Sequence, residues 1–145
     1  MIEDLKEKQL MANTKFEILN SKQSQITEIR NSKQYDLEDR TIKFAVIVRD
    51  YIKKLPRTIT NIEIGGQLFR AASSVGANYI EANEALGRKD FVMRIKICRK
   101  ESKESIYWLK LSEPSEGDNA EKYFMIQEAT ELMKIFGAIL EKSKF

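Results

Sequence analysis

The stretch from Gln67 to Leu111 constrains the fold more than any other part of the chain. It reads as helix, yet its opening and the residues just before it are small: Gly65, Gly66, Ala71, Ala72, Ser73, Ser74, Gly76 and Ala77. Each glycine weakens a helix by roughly 1 kcal/mol relative to alanine, so close packing has to compensate. The second half carries a dense row of lysines and arginines. Small residues let helix backbones approach one another, and a basic row calls for an anionic partner or for water.

The remaining pattern is also helical. No segment alternates with period two for long, and the two prolines, Pro56 and Pro114, fall between periodic segments. The spacing predicts a first helix from Leu37 to Leu55, capped by Asp36, with Leu37, Thr41, Phe44, Val48, Tyr51 and Leu55 on its seam. A second runs from Asn61 to Leu86, entered by a Thr60/Glu63 capping box and ended by Gly87. It carries two adjacent seams: Ile64, Leu68, Ala71, Val75, Asn78, Ala82 and Ala85, then Phe69, Ala72, Gly76, Tyr79, Asn83 and Leu86. A third covers Lys89 to Leu111 with Phe91, Ile95, Cys98, Ser102, Ser105 and Leu109 inward. A fourth follows an Asp118/Glu121 capping box and runs to Lys142, with Met125, Ala129, Leu132, Phe136 and Ile139 inward. The expected fold is all-α, an antiparallel up-down-up-down four-helix bundle over residues 35–145. Residues 1–34 are polar, with Leu5, Ala12, Leu19 and Ile26 every seven residues and Ile2, Gln9 and Phe16 between them. They form an extension outside the bundle, read equally as a helical arm or a frayed segment.

At 145 residues the chain is about one domain. It has one cysteine, Cys98, and no apolar run able to span a bilayer, so a soluble cytoplasmic protein with no membrane partner is expected. Histidine is absent, which excludes Ser-His and Cys-His nucleophiles, His-based zinc sites and His acid/base chemistry together. No cofactor, metal ion or catalytic residue is assigned. The net charge of +3 is unevenly spread. Residues 88–110 hold eight basic residues against three acidic ones, whereas residues 112–145 hold four against seven.

The run from Gly76 to Leu111 resembles the 23S rRNA intervening-sequence proteins, also called S23-type. The matching residues are Ala77, Asn78 and Glu81, then Asp90 and Phe91, then Glu104, Tyr107, Trp108 and Leu109, with Gln67, Leu68, Arg70 and Ala71 fitting the opening of helix two. The resemblance spans Asp36 to Phe145 and leaves out the long N-terminal extension. It implies a left-handed up-down bundle assembled into a homopentameric ring, with no established catalytic activity. It also implies similarity to the accessory variability proteins of diversity-generating retroelements, basic pentameric bundles that bind a reverse transcriptase and nucleic acid.

The basic row is the main candidate site. Lys89, Lys96, Lys100, Lys103 and Lys110 share one face of helix three, and Arg88 and Arg99 widen it. The bland reading is a solvated face. The sharper one is a phosphate-binding surface for RNA or DNA, with Glu101 and Glu104 neutralising part of it. No base-reading motif accompanies it.

Two E-x-x-E pairs, Glu81 with Glu84 and Glu101 with Glu104, could together hold Mg²⁺ in a nucleotide pyrophosphohydrolase, although ion pairing accounts for them as well. Ala71, Val75, Asn78, Glu81, Glu104 and Trp108 read as structural or assembly residues. Asn78 is expected to bond Ser102 or Ser105 across the hairpin, and Glu81 to pair with Arg70, Arg94 or Arg99. Cys98 reads as a small core residue, and Tyr107 and Trp108 as an apolar anchor that could alternatively stack bases. The leading expectation is a non-enzymatic homo-oligomer that binds nucleic acid, or that serves as an adaptor for a reverse transcriptase or another protein. The Mg²⁺-dependent hydrolase is the alternative.

Overall fold

The computed structural model describes residues 2–11, 13 and 36–144. Every regular element among them is helical. The chain divides into two compact units, Met1–Asp36 and Leu37–Phe145. In the first, residues 2–11 are helical; Phe16, Leu19 and Ile26 of the seven-residue pattern lie outside the described residues, as does Ala12.

The second unit contains α1 (Leu37–Lys54), α2 (Ile59–Asn83), α3 (Arg88–Leu111) and α4 (Asn119–Lys142), with a short 3₁₀ turn at Glu116–Asp118. The largest interfaces are α2 with α3 and α3 with α4, followed by α1 with α2 and α1 with α4. The core is drawn from the expected seams: Phe44, Val48 and Tyr51 of α1, Leu68, Ala71 and Val75 of α2, Ile95, Cys98 and Leu109 of α3, and Met125, Ala129, Leu132 and Phe136 of α4. Burial of each large side chain contributes about 1.5–3 kcal/mol.

Helix ends depart from the sequence expectation where tertiary contacts intervene. The N-cap of α2 is Thr58, whose hydroxyl accepts from the Asn61 amide at 3.2 Å, and not Thr60. The shift follows from Asn61. Its side chain donates to the carbonyls of Pro56 and Glu113, both at 2.9 Å, and accepts from the Glu113 amide at 3.0 Å. That one amide ties the α1–α2 turn to the loop after α3. At its other end α2 stops at Asn83, and Gly87 serves as the N-cap of α3, leaving Leu86 fully exposed. Asp118 does precede α4 but makes no side-chain cap. Glu121 instead binds Lys54 of α1.

The glycines separate by role. A Cβ on Gly76 would lie 2.8 Å from Thr41 Oγ1, and one on Gly65 would lie 3.1 Å from Ile52 Cγ2. Both glycines therefore serve the approach of α2 to α1. The small middle of the α2–α3 hairpin is filled differently, with the Cys98 thiol donating to the Val75 carbonyl at 3.4 Å. Gly66 faces open space.

Candidate nucleic-acid interface

Seven cations of α3 define the surface. At 100° per residue, Arg88, Lys89, Lys96, Arg99, Lys100, Lys103 and Lys110 fall within an arc of about 120° and extend over about 33 Å of helix. All seven are exposed. The buried seam of Ile95, Cys98, Ser102, Ser105 and Leu109 lies about 120° round the helix from the middle of this arc, so Arg88 and Arg99 border the packed side while Lys89 and Lys100 point away from it. The stripe begins beside an open concavity lined by the N-cap Gly87, by Val92 and Met93 on α3 and by Ser143 and Lys144 after α4. Arg88 reaches the Ser143 carbonyl there.

The acidic residues of α3 neutralise this face only at its edge, where Glu104 interacts with Lys100. Glu101 is buried, and Glu104 is half-buried on the side toward α2. Arg70 of α2 reaches both, lying 3.4 Å from Glu101 Oε2 and in direct contact with Glu104. Trp108 Nε1 also donates to Glu104, at 3.1 Å. That hydrogen bond holds the Glu104 carboxyl below the usual carboxylate range; burial opposes the shift, and Arg70 and Lys100 reinforce it. The Arg70 guanidinium is in turn pushed up, because Glu101 and Glu104 together outweigh its desolvation. Asp90 lies 3.9 Å from Arg94, which is outside the stripe. Among the described residues no ion pair involves Lys89, Lys96, Arg99, Lys100, Lys103 or Lys110.

Several expected partners differ. Asn78 does not meet Ser102 or Ser105, whose hydroxyls donate at 2.8 Å to the carbonyls of Cys98 and Glu101 one turn back. Asn78 is only half-buried, at the hairpin edge, where it donates to the Ser74 carbonyl and accepts from Arg94 at 3.1 Å. Glu81 is exposed and, among the described residues, pairs with none of the three candidate arginines. Ala71 and Val75 are wholly buried inside the unit.

The two E-x-x-E pairs are not brought together. Arg70 sits opposite Glu101 and Glu104, and Asn78 opposite Arg94, so Glu81 and Glu84 lie farther along toward the α2–α3 turn. No cluster of three or more carboxylates or thiols among the described residues could hold a metal ion. Cys98 is fully buried, and burial pushes its thiol up to about 12, which suits a core residue.

Two features escaped the seam pattern. Arg40, 2% exposed, bonds Glu128 at 2.5 Å and Glu131 at 2.7 Å. The available signal was a charge in a seam position: Glu128 stands three residues after Met125 and four before Leu132. The other feature is an exposed apolar stripe, formed by Ile62, Phe69 and Ile80 on α2 beside Ile42 and Val46 on α1. Phe69 falls on the second seam by spacing, yet it is exposed, whereas Ala72 and Gly76 of the same seam are buried and Gly76 lies against Thr41 of α1.

The model of the 23S rRNA-intervening sequence protein family matches residues 33–138. The chain belongs to that family. The matched span of this 23S rRNA-intervening sequence protein contains the whole cationic stripe together with Arg40, Arg70, Glu101, Glu104 and Glu128. A crystal structure of a protein with unknown function from the S23 ribosomal protein family of Bacteroides thetaiotaomicron is similar to it, with a TM-score of 0.64 and 28% sequence identity over 72% of this chain and 98% of that one. No curated protein matches the chain. No helix among the described residues is long and apolar enough to cross a membrane.

Proposed function

We propose that this 23S rRNA-intervening sequence protein is a non-enzymatic, homo-oligomeric, antiparallel up-down-up-down four-helix bundle of the cytoplasm. It binds nucleic acid through phosphates on the outer face of α3. The observation that carries the reading is the division of charge on α3. Seven exposed cations share one arc, while the two carboxylates that could have quenched them are drawn to Arg70. A solubilising surface needs no such segregation, since mixed charges serve it equally well.

The topology rests on paired contacts. Thr41 meets Gly76 while Ile52 meets Gly65, and Arg40 meets Glu128 while Lys54 meets Glu121. Each pair of contacts runs in opposite directions along its two helices.

Assembly is supported by the apolar stripe. Ile62, Phe69 and Ile80 are 54%, 42% and 43% exposed, and the small Gly66, Ser73 and Ala77 between them would let a second copy approach closely. Exposed apolar groups in a contiguous patch mark an association surface. A ring would present the cationic face once per copy and strengthen its field. Light scattering should show several copies per particle, with five implied by the family resemblance, and Phe69→Arg with Ile80→Arg should yield monomers.

Fluorescence anisotropy with labelled RNA at rising KCl tests the phosphate reading. Binding should weaken steeply with salt; absence of binding at low salt, or indifference to salt, would overturn it.

A further inference from the structure

We infer that the nucleic acid on the α3 face is single-stranded, with an unpaired base stacked on Tyr107. This inference rests on the phosphate-binding reading and names the class of strand. Tyr107 is 58% exposed, so it is not the apolar anchor that its place near the hairpin end suggests. At 100° per residue it falls inside the cationic arc, four residues after Lys103, seven after Lys100 and three before Lys110. Cations thus bracket the ring along the helix. Its hydroxyl makes no hydrogen bond to the described residues.

The ring is also held in place. Trp108 packs edge-on against it, with centroids 5.0 Å apart and planes at 76°. Trp108 is fixed by Glu104, and Glu104 by Arg70. An exposed aromatic ring that is pre-positioned loses little freedom when a base lands on its open face. Aromatic side chains set among cations are how sequence-tolerant single-strand binders work, the cations tracking phosphates and the rings taking base faces. In a duplex those faces are already stacked on one another, and Tyr107 would find none.

The test uses the full chain and fluorescein-labelled oligouridine and oligothymidine of about a dozen nucleotides, within the range of single-strand site sizes. A duplex of the same length is the third probe, all at about 50 mM KCl, where phosphate contacts are strong. Tyr107→Ala should weaken both single strands by about 5- to 100-fold, the loss of one stacked base, while Tyr107→Phe holds the wild-type affinity. Duplex affinity should be unchanged by either variant. An effect confined to one single strand still supports stacking and names the preferred strand. A silent Tyr107→Ala, or equal losses on single strands and duplex, would overturn the inference while leaving phosphate binding intact. If the wild-type chain binds none of the three probes, phosphate binding fails, and stacking with it.

Discussion

Arg40 donates to Glu128 at 2.5 Å in the interior of the helical unit, with side chains 2% and 4% exposed. Glu131, 28% exposed, takes the second bond at 2.7 Å. Removing one member of a buried pair strands the other charge, so Arg40→Met should lower the unfolding free energy by about 3–5 kcal/mol. Adding Glu128→Leu should recover part of that loss. Urea unfolding of Arg40→Met, Glu128→Leu and the double variant measures it, and a double variant weaker by the full sum of the single losses would contradict the assignment.

Gly76 and Gly66 should respond oppositely to alanine. At Gly76 the new Cβ meets the buried Thr41 hydroxyl at 2.8 Å, and that hydroxyl is already committed to the Glu38 carbonyl. Overpacking of this kind costs about 1–3 kcal/mol, against a helix-propensity gain of roughly 1 kcal/mol. At Gly66 the Cβ enters open space, so within one copy only the gain remains. Made in the monomeric Phe69→Arg, Ile80→Arg background, the two variants should therefore shift the thermal melt in opposite directions.

Trp108 is the sole tryptophan, and its indole N–H bonds Glu104. The Glu104 carboxyl is held below its ordinary 4.5, so its stabilising contribution is complete above that pH and is lost as pH falls through the lower folded value. Trp108 emission should shift with a midpoint below 4.5. Glu104→Gln should abolish that transition. Because Arg70 is about half exposed, the effect on stability should be small.

Cys98 should resist thiol reagents in the native protein and react on unfolding. Its thiol is pushed to about 12 by burial, from an ordinary 9.0. The contribution to stability is therefore complete below pH 9 and is lost as pH rises toward 12. Stability between those values should decline less in Cys98→Ala than in the wild type.

What the sequence reveals about this molecule is what local periodicity controls. The arc of the α3 cations and the buried seam follow from spacing alone, because a helix fixes the direction of every side chain once its register is known. The core residues of α1 and α4 follow for the same reason. What spacing could not supply is the choice among partners in other helices. Arg70 was a plausible partner for Glu81, and only the packing of α2 on α3 gives it to Glu101 and Glu104 instead. Thr60 with Glu63 had the better capping pattern, and the α2 start moved to Thr58 because Asn61 is needed at a loop fifty residues away. Phe69 carries an inward-looking pattern yet remains exposed, since α1 already covers the neighbouring glycine side of α2.

The most direct test of the central claim is the salt dependence of RNA binding by wild type and by the combined Lys96→Glu, Lys100→Glu, Lys103→Glu variant. Five phosphate contacts to a single strand imply an affinity loss of about 100-fold between roughly 50 and 200 mM salt. The variant, with the same particle mass, should bind at least about 100-fold more weakly at low salt, with a slope of log affinity against log salt reduced by about 2. Unchanged affinity and slope in a folded, normally assembled variant would contradict the assignment of α3 as the nucleic-acid surface.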